Sequence, residues 1–265
     1  MTDVAVVRAD NPGPMTLDGT RSYVLRAPGS ASCVVVDPGP DDERHLATLA
    51  AAGPVELVLV THRHADHTAG SARLHALTGA PVRAADPEHC HGGDPLRGGE
   101  SIDAAGLRVD VLATPGHTAD SVSFVVTVPD GAGSPEPVVL TGDTVLGQGT
   151  TVIAEPDGSL RDYLASLDVL ERVGDGRAGL PGHGPAIDDL GVAVRAYRAH
   201  RLERLDQVRA ALAALGRAPG DGREDAGETA DAVVAHVYAD VAPAVRRAAR
   251  QSVVAQLAYL RDEPA

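Results

Sequence analysis

Short β-branched runs alternate with turn residues over the first two-thirds of the chain, and amphipathic segments separate several of them. The predicted strands are residues 23–25, 33–36, 55–60, 81–84, 107–112, 122–128 and 138–141. Residues 55–60 are apolar at five of six positions, which predicts a central strand covered on both faces of its sheet. Strands interleaved with helices indicate an α/β fold.

Apolar residues at a spacing of three to four predict the helices. The predicted helices are residues 43–52, 68–77, 160–173, 188–215, 229–239 and 243–261. The longest carries a stripe that we expect to pack into the core, namely Leu202, Leu205, Val208, Leu212 and Leu215. Residues 216–227 are predicted to be a linker, and 130–137 and 221–228 to be loops. We therefore expect a large α/β domain over residues 1–215 and a helical subdomain over 216–265.

The charge balance narrows the function classes. The 265 residues carry 23 basic and 37 acidic side chains, which gives a net charge of −14. A broad phosphate-binding surface needs clustered cations, so nucleic-acid binding is disfavoured. All the basic residues are arginine. The absence of lysine excludes Schiff-base chemistry and a Walker-type phosphate loop.

Targeting signals are not apparent in the sequence. No apolar run approaches the roughly 20 residues of a membrane span, and no basic-then-apolar leader follows Met1. Cys33 and Cys90 are too few for a disulfide framework. We expect a soluble cytoplasmic protein with no membrane partner, and the sequence leaves its oligomeric state open.

The candidate chemistry is concentrated directly after the predicted strand 55–60. The motif there is Thr61-His62-Arg63-His64-Ala65-Asp66-His67. Three imidazoles and a carboxylate need partners when they are buried, and a metal ion supplies them. At an extended strand end His62 and His64 project to one side, while a turn at Ala65 brings Asp66 and His67 to a neighbouring point. The alternative is a histidine-rich surface loop in which Asp66 caps a helix.

Three later sites place a metal-ligand side chain beside a glycine at a strand end. They are Pro115-Gly116-His117, Thr141-Gly142-Asp143 and Pro181-Gly182-His183. Glycine permits the tight turn that directs a neighbouring side chain off a sheet edge. The repeated arrangement favours a metal site over a chance run of histidines.

These residues, in this order and spacing, resemble the metallo-β-lactamase superfamily of hydrolases. Further stretches are similar to its β-lactamase-like protein 2 branch: Asn11-Pro12-Gly13-Pro14, Gly19-Thr20, Pro115-Gly116-His117-Thr118, Ser121 and Pro181-Gly182-His183-Gly184-Pro185. The resemblance implies an αββα sandwich with a small C-terminal helical, winged-helix-like cap.

The resemblance also implies a dinuclear metal centre with two Zn²⁺ ions per chain. By position, one ion is expected on His62, His64 and His117, and the other on Asp66, His67 and His183. Asp143 is expected to bridge them. Iron or manganese accept the same nitrogen and oxygen donors, so the ligand types alone do not decide the metal.

The expected activity is hydrolysis of a small ester, thioester, lactone or lactam. Zinc lowers the pKa of bound water from about 15.7 towards about 7, which supplies hydroxide at neutral pH. The resemblance also implies that Asp66 is the catalytic residue, which is expected to orient the hydroxide and pass its proton to the leaving group. The alternatives are a metal-dependent endoribonuclease and, from another class, an iron-dependent sulfur dioxygenase. A non-catalytic binding module is disfavoured because no expected ligand is missing.

Several further residues have two interpretations. Asp37 either orients a ligand histidine or is a turn residue, and Tyr163 either faces the cleft or packs in the core. His200, Arg201 and Arg204 either bind an anionic substrate group near the metals or form salt bridges with Glu203, Asp206 or other acids; we favour the salt bridges. His89-Cys90-His91 is interpreted as an exposed loop rather than a metal site.

Overall fold

The fold is known from a computed structural model that describes residues 3–129, 136–220, 223–238 and 243–263. Most of the predicted loop 130–137 lies outside these residues. Within these ranges, ten strands form two five-stranded sheets with the orders β1-β2-β3-β4-β5 and β10-β9-β8-β7-β6. The strands are β1 (Asp3–Arg8), β2 (Arg21–Arg26), β3 (Cys33–Val36), β4 (Val55–Leu59), β5 (Val82–Arg83), β6 (Ser101–Ala104), β7 (Leu107–Ala113), β8 (Val122–Thr127), β9 (Val138–Gly142) and β10 (Gly179–Pro181).

The helices are α1 (Glu43–Ala50), α2 (Ala65–Thr68), α3 (Ser71–Thr78), α4 (Leu160–Gly174), α5 (Leu190–Leu215), α6 (Arg223–Val237) and α7 (Pro243–Arg261). The side chains of Asp42, Ser159 and Asp189 accept backbone N–H groups at the starts of α1, α4 and α5. These N-caps explain why the three helices begin where the sequence pattern predicts, within two residues.

The alternation of side chains along the strands builds the layers. Tyr23 and Leu25 of β2 point into the core between the sheets, where they share a cluster with Phe124 of β8. Val24 points the other way and packs with residues of α1 and α3. On the far side, the second sheet packs against α4 and α5. The observed layers are helix, sheet, sheet and helix, as expected.

The last two helices form a separate packing unit, called the cap below. Val233 of α6 and Val253 and Leu257 of α7 are buried together with Val208 and Leu212 of α5. Because α5 contributes to both the sandwich and this cluster, it ties the cap to the sheets. The boundary at residue 216 remains a prediction.

Some local predictions are wrong. Helix α6 begins at Arg223, so it occupies part of the predicted linker and most of the predicted loop 221–228. Of the predicted stripe on α5, Leu202 is 46% exposed and Leu215 is 38% exposed. The patterns failed there because burial on α5 follows two different neighbours, the second sheet and the cap.

The remaining differences concern strands and one helix. The sequence pattern missed β1, β6 and β10, which are short or at a sheet edge. Predicted helix 68–77 is divided into α2 and α3 around Gly70. Strand β4 is interior as predicted, between β3 and β5, although one position from the sheet edge. No helix among the described residues combines the length and apolar character needed to cross a membrane.

Candidate metal centre

Seven side chains from four segments converge at one edge of the two sheets. The first segment follows β4, where His64 precedes α2 and Asp66 and His67 lie in its single turn. The others follow β7, β9 and β10 and supply His117, Asp143 and His183. The structure therefore brings together every residue that the sequence predicted as a metal ligand.

Three imidazoles form the first group: His62, His64 and His117. His62 Nε2 and His117 Nε2 each lie 3.1 Å from His64 Nδ1. His62 and His117 are buried, whereas His64 is exposed. This group is therefore open to solvent through His64.

Two imidazoles and a carboxylate form the second group: Asp66, His67 and His183. His67 Nε2 and His183 Nε2 are 3.3 Å apart. Asp66 Oδ2 lies 3.1 Å from His183 Nε2 and 3.5 Å from His67 Nε2. Both imidazoles are buried, while the Asp66 side chain keeps 27% exposure.

Asp143 lies between the two groups. Its Oδ1 is 3.5 Å from His67 Nε2, and its Oδ2 is 3.3 Å from His183 Nε2 and 3.8 Å from His117 Nε2. Oδ1 is buried and has no hydrogen-bond partner among the described residues. One carboxylate thus faces both groups with an unsatisfied oxygen, as a bridging metal ligand would.

The second nitrogen of each of three buried imidazoles has a polar neighbour that fixes the ring. His67 Nδ1 is 2.8 Å from Asp37 Oδ2, and His117 Nδ1 is 2.8 Å from the Val152 carbonyl oxygen. His183 Nδ1 is 3.5 Å from the Gly19 carbonyl oxygen. These contacts favour the tautomers that leave the Nε2 lone pairs directed at one another.

The Nε2 atoms of His67 and His183 are 3.3 Å apart, and their lone pairs repel unless a cation or a proton lies between them. Three observations fit a metal centre. The nitrogen donors converge, the donor set suits zinc, and Asp143 Oδ1 lacks a partner within the described part of the chain. Neutral imidazoles that orient their other nitrogen on a carboxylate or carbonyl are typical of metal ligands.

The carboxylates around the second group also favour a positive charge there. Burial lowers the pKa of His67, but the carboxylates of Asp37, Asp143 and Asp66 outweigh it and raise the pKa to about 9. For His183, burial is likewise outweighed by Asp143 and Asp66, and the pKa is raised to about 10. Positive charge is therefore favoured in this group.

The first group behaves differently. Burial, followed by the charges of the neighbouring imidazoles, holds the pKa of His62 well below its usual range. The pKa of His64 is also lowered, by burial first and then by His117. These rings stay neutral, which is the protonation state that binds a metal.

Asp37 orients the site from behind. It is 1% exposed and adopts a left-handed backbone conformation with φ of 55°. Besides contacting His67, its carboxylate accepts hydrogen bonds from Thr61 N and Thr61 Oγ1 at 2.7 and 2.8 Å. The orienting interpretation of Asp37 is therefore the one that the contacts favour.

Gly182 makes room for the cluster. A Cβ atom at this position would lie 2.4 Å from Asp143 Oδ1 and 2.7 Å from His67 Cε1. Any larger residue would displace two members of the cluster, which explains the glycine before His183.

Arg63 is a functional candidate that the sequence reasoning missed. Its guanidinium contacts Asp120 at 3.2 Å, Asp157 at 3.6 Å and Asp86 at 3.9 Å. These acids come from three loops, one of which carries His117. The position of Arg63 between His62 and His64 was the available signal, but its partners are distant in sequence.

The contacts of Tyr163, Arg201 and Arg204 decide between their two interpretations. Tyr163 is fully buried, and its hydroxyl donates to the Thr144 carbonyl oxygen at 2.7 Å, so it packs in the core. The favoured salt bridges of Arg201 and Arg204 with Glu203 and Asp206 are wrong: among the described residues, neither arginine forms an ion pair. Arg201 instead donates to the Thr151 carbonyl oxygen. Arg204 donates to His200 and Gln207 on its own helix, whereas the partner of Arg201 lies in a distant segment that helix spacing does not signal.

The segment His89-Cys90-His91 forms no metal-binding group of three within the described ranges. Cys90 Sγ instead contacts the backbone of Ala84. His89, Cys90 and His91 are half-buried rather than exposed as predicted, and the absence of a metal there stays a prediction.

Two known protein families match this chain. The family described as "Metallo-beta-lactamase superfamily" matches residues 15–183, and the family described as "Beta-lactamase associated winged helix domain" matches residues 229–263. The chain belongs to the metallo-beta-lactamase superfamily. The predicted fold class, including the winged-helix-like cap, is confirmed.

Two curated relatives in the superfamily illustrate its range. The chain is similar to an atrochrysone carboxyl ACP thioesterase of Aspergillus fumigatus, with 33% identity over 71% of this chain and 58% of the relative. It is also similar to a beta-lactamase-like protein 2 homolog of Caenorhabditis elegans, with 30% identity over 73% of this chain and 65% of the relative. The matches thus span less than two-thirds of these relatives, and they confirm the predicted resemblance to that branch.

A solved structure shows the same fold over nearly the whole chain. A metallo-beta-lactamase family protein from Thermus thermophilus superposes with a TM-score of 0.72 and 24% identity, covering 98% of this chain and 93% of its own. At this identity the likeness concerns the fold alone. It extends through the cap.

Proposed function

We propose that this protein is a metal-dependent hydrolase that cleaves a small acyl thioester. The observation that carries the proposal is the convergence of seven nitrogen and oxygen donors, in two groups joined by Asp143, at a solvent-open sheet edge. The similarity to a protein named as a thioesterase supports the choice of a thioester over an ester, lactone or lactam.

In this proposal His62, His64 and His117 would hold one Zn²⁺, Asp66, His67 and His183 would hold another, and Asp143 would serve both groups. Zinc is chosen because imidazole and carboxylate donors suit it. Bound there, the ions would supply a water of lowered pKa and a Lewis acid for the substrate carbonyl.

In this proposal Asp66 is the residue that transfers the proton. Burial raises its pKa, but the hydrogen bond from His183 and the charges of His67 and His183 hold it well below the usual range. Thr20 Oγ1 donates to Asp66 Oδ2 at 3.3 Å, which orients the carboxylate. In the proposed reaction this oxygen accepts a proton from the attacking water and passes it to the leaving sulfur.

Other residues orient the ligand imidazoles in this proposal. Asp37, through His67, and the Val152 carbonyl, through His117, fix the two rings. The exposed side at His64 and Asp66 is the side from which a substrate reaches the cluster.

Elemental analysis followed by a substrate panel tests the proposal. The full chain is expected to contain zinc and to hydrolyse acyl thioesters faster than matched oxygen esters, lactones or lactams. A chelator should abolish turnover, and added zinc should restore it.

Two results would replace this function with another. Cleavage of RNA without acyl hydrolysis would favour the endoribonuclease alternative. Oxygen consumption with bound iron would favour the sulfur dioxygenase. The net charge of −14 opposes the first of these, because RNA binding relies on clustered cations.

A further inference from the structure

A polar cavity lies where the cap meets the sandwich, apart from the metal centre. Its volume is about 250 Å³, and residues of α5, α7, Tyr238 and the segment 150–152 surround it. None of the seven metal-centre residues lines it. We call it the α5–α7 cavity; its polar lining includes Thr150, His200, Arg201, Arg204, Ser252 and Gln256.

Three buried polar atoms of this lining have no hydrogen-bond partner among the described residues. They are His200 Nδ1, Arg201 Nε and Gln256 Oε1. Arg201 and Gln256 are 5% and 3% exposed, so the protein has removed these groups from solvent. Buried polar groups are normally paired because leaving them unpaired is costly. Three such atoms on residues that line one cavity leave two nitrogen atoms and one amide oxygen for a bound group to satisfy.

The protonation of His200 identifies the kind of partner. Arg204 Nε donates to His200 Nε2 at 3.4 Å, so a neutral ring carries its hydrogen on Nδ1. Burial, and then the charges of Arg201 and Arg204, lower the pKa of His200 and keep the ring neutral. His200 Nδ1 and Arg201 Nε are therefore both N–H donors that lack an acceptor within the described ranges.

The charges of the lining point the same way. Arg201 lies over the Tyr163 ring and Arg204 over the Tyr238 ring, and within the described part of the chain neither contacts a carboxylate. Among the residues that the structure describes around the cavity, none has an acidic side chain. Two guanidinium groups without a counter-charge there are unusual in a chain with a net charge of −14.

We propose that the α5–α7 cavity binds a small oxyanion, the phosphate or carboxylate group of a ligand. His200 Nδ1 and Arg201 Nε donate to its oxygens, and the Arg204 guanidinium supplies the second positive charge. A half turn of the Gln256 amide adds an N–H donor, and Ser252 adds a hydroxyl. The volume exceeds that of a single water, about 30 Å³, and accommodates a tetrahedral anion.

The bound anion would contact the support of the metal centre. Arg201 donates to the Thr151 carbonyl oxygen, and Thr151 Oγ1 lies 3.2 Å from His117 Nδ1. The adjacent Val152 carbonyl oxygen orients the same imidazole. Occupancy of the cavity is therefore expected to stiffen the His117 loop. The site itself does not depend on the proposed hydrolysis, because anion binding is measurable without turnover.

Calorimetric titration of the metal-loaded full chain tests the site. Inorganic phosphate and acetate are titrated separately at constant ionic strength, which distinguishes a phosphate from a carboxylate ligand. Arg204→Gln should weaken binding of the preferred anion at least tenfold. Arg209→Gln is the matched control, because Arg209 lies on the same helix but pairs with Asp206 and Glu263. It should change the affinity by less than twofold.

A second variant covers the case in which Arg204→Gln does not fold. Gln256→Glu places a carboxylate beside the unpaired donors, so it should abolish anion binding and raise the Tm. Binding of neither anion, equal weakening in the Arg204 and Arg209 variants, or undiminished binding in Gln256→Glu would each overturn the proposal. So would a crystal soaked in the anion that the titration shows to be preferred, if only water appears in the cavity.

Discussion

The two halves of the candidate metal centre are built differently. Around His67 and His183 lie the carboxylates of Asp37, Asp66 and Asp143, and both rings are buried. Around His62, His64 and His117 the orienting partners are a hydroxyl and a carbonyl, and His64 is exposed. The half around His67 and His183 therefore compensates positive charge with carboxylates. The half around His62, His64 and His117 has neutral donors and is open to solvent.

Asp143→Asn removes the feature that joins the halves, and it should have the largest effect. Neutralising the carboxylate that faces both groups should release metal from each and lower kcat/KM by more than about 100-fold, beyond the range typical of residues that only orient ligands. Metal content and kinetics measure this. Asp168→Asn, an exposed acid on α4, is the control. Metal retained in full by Asp143→Asn would contradict its place between the groups.

Asp37→Asn tests the charge-compensated half alone. The amide cannot replace the carboxylate that contacts His67 Nδ1 and accepts from Thr61, so metal affinity of this half should fall by about 10–100-fold. The other half should keep its metal. Asp42→Asn controls for the loss of a nearby acid, because Asp42 only caps α1. Equal loss of both metals would show that the halves are not separable.

Graded chelation compares the halves in the unmodified protein. The extra carboxylates should hold a divalent cation more tightly by at least about 1.4 kcal/mol, which is tenfold in affinity. Increasing chelator should therefore remove one equivalent before the other, as followed by elemental analysis of the desalted protein. Loss of both equivalents in a single step would contradict the asymmetry.

Arg63→Gln should have the smallest effect. Arg63 is 39% exposed, and exposed ion pairs contribute about 0.2–1 kcal/mol. Looser contacts among the three loops should lower kcat/KM by no more than about fivefold, with metal content unchanged. The paired variant Asp157→Asn should give a similar or weaker loss. A loss of bound metal in Arg63→Gln would show that this arginine supports the ligands directly.

The same comparison shows what the sequence could reveal. The seven candidate ligands were predictable because each follows a strand end beside a glycine or within one compact motif. The αββα layers were predictable because alternating strands and amphipathic helices must bury their faces together. Asp37 was predictable as a candidate because it ends the apolar run 33–36, but its choice of His67 required coordinates.

Other features were beyond the sequence for physical reasons. Strand β10 has three residues, too few for a pattern of alternation to stand out. The partner of Arg201 is a backbone carbonyl fifty residues away, which no side-chain spacing signals. The α5–α7 cavity exists only because α5 bridges the sandwich and the cap, so it is a property of tertiary packing.

Anomalous diffraction at the zinc edge from crystals grown with Zn²⁺ tests the central claim most directly. The account predicts two peaks per chain, one among His62, His64 and His117 and one among Asp66, His67 and His183, with Asp143 between them. Peaks elsewhere on the surface, or none at this sheet edge, would contradict it.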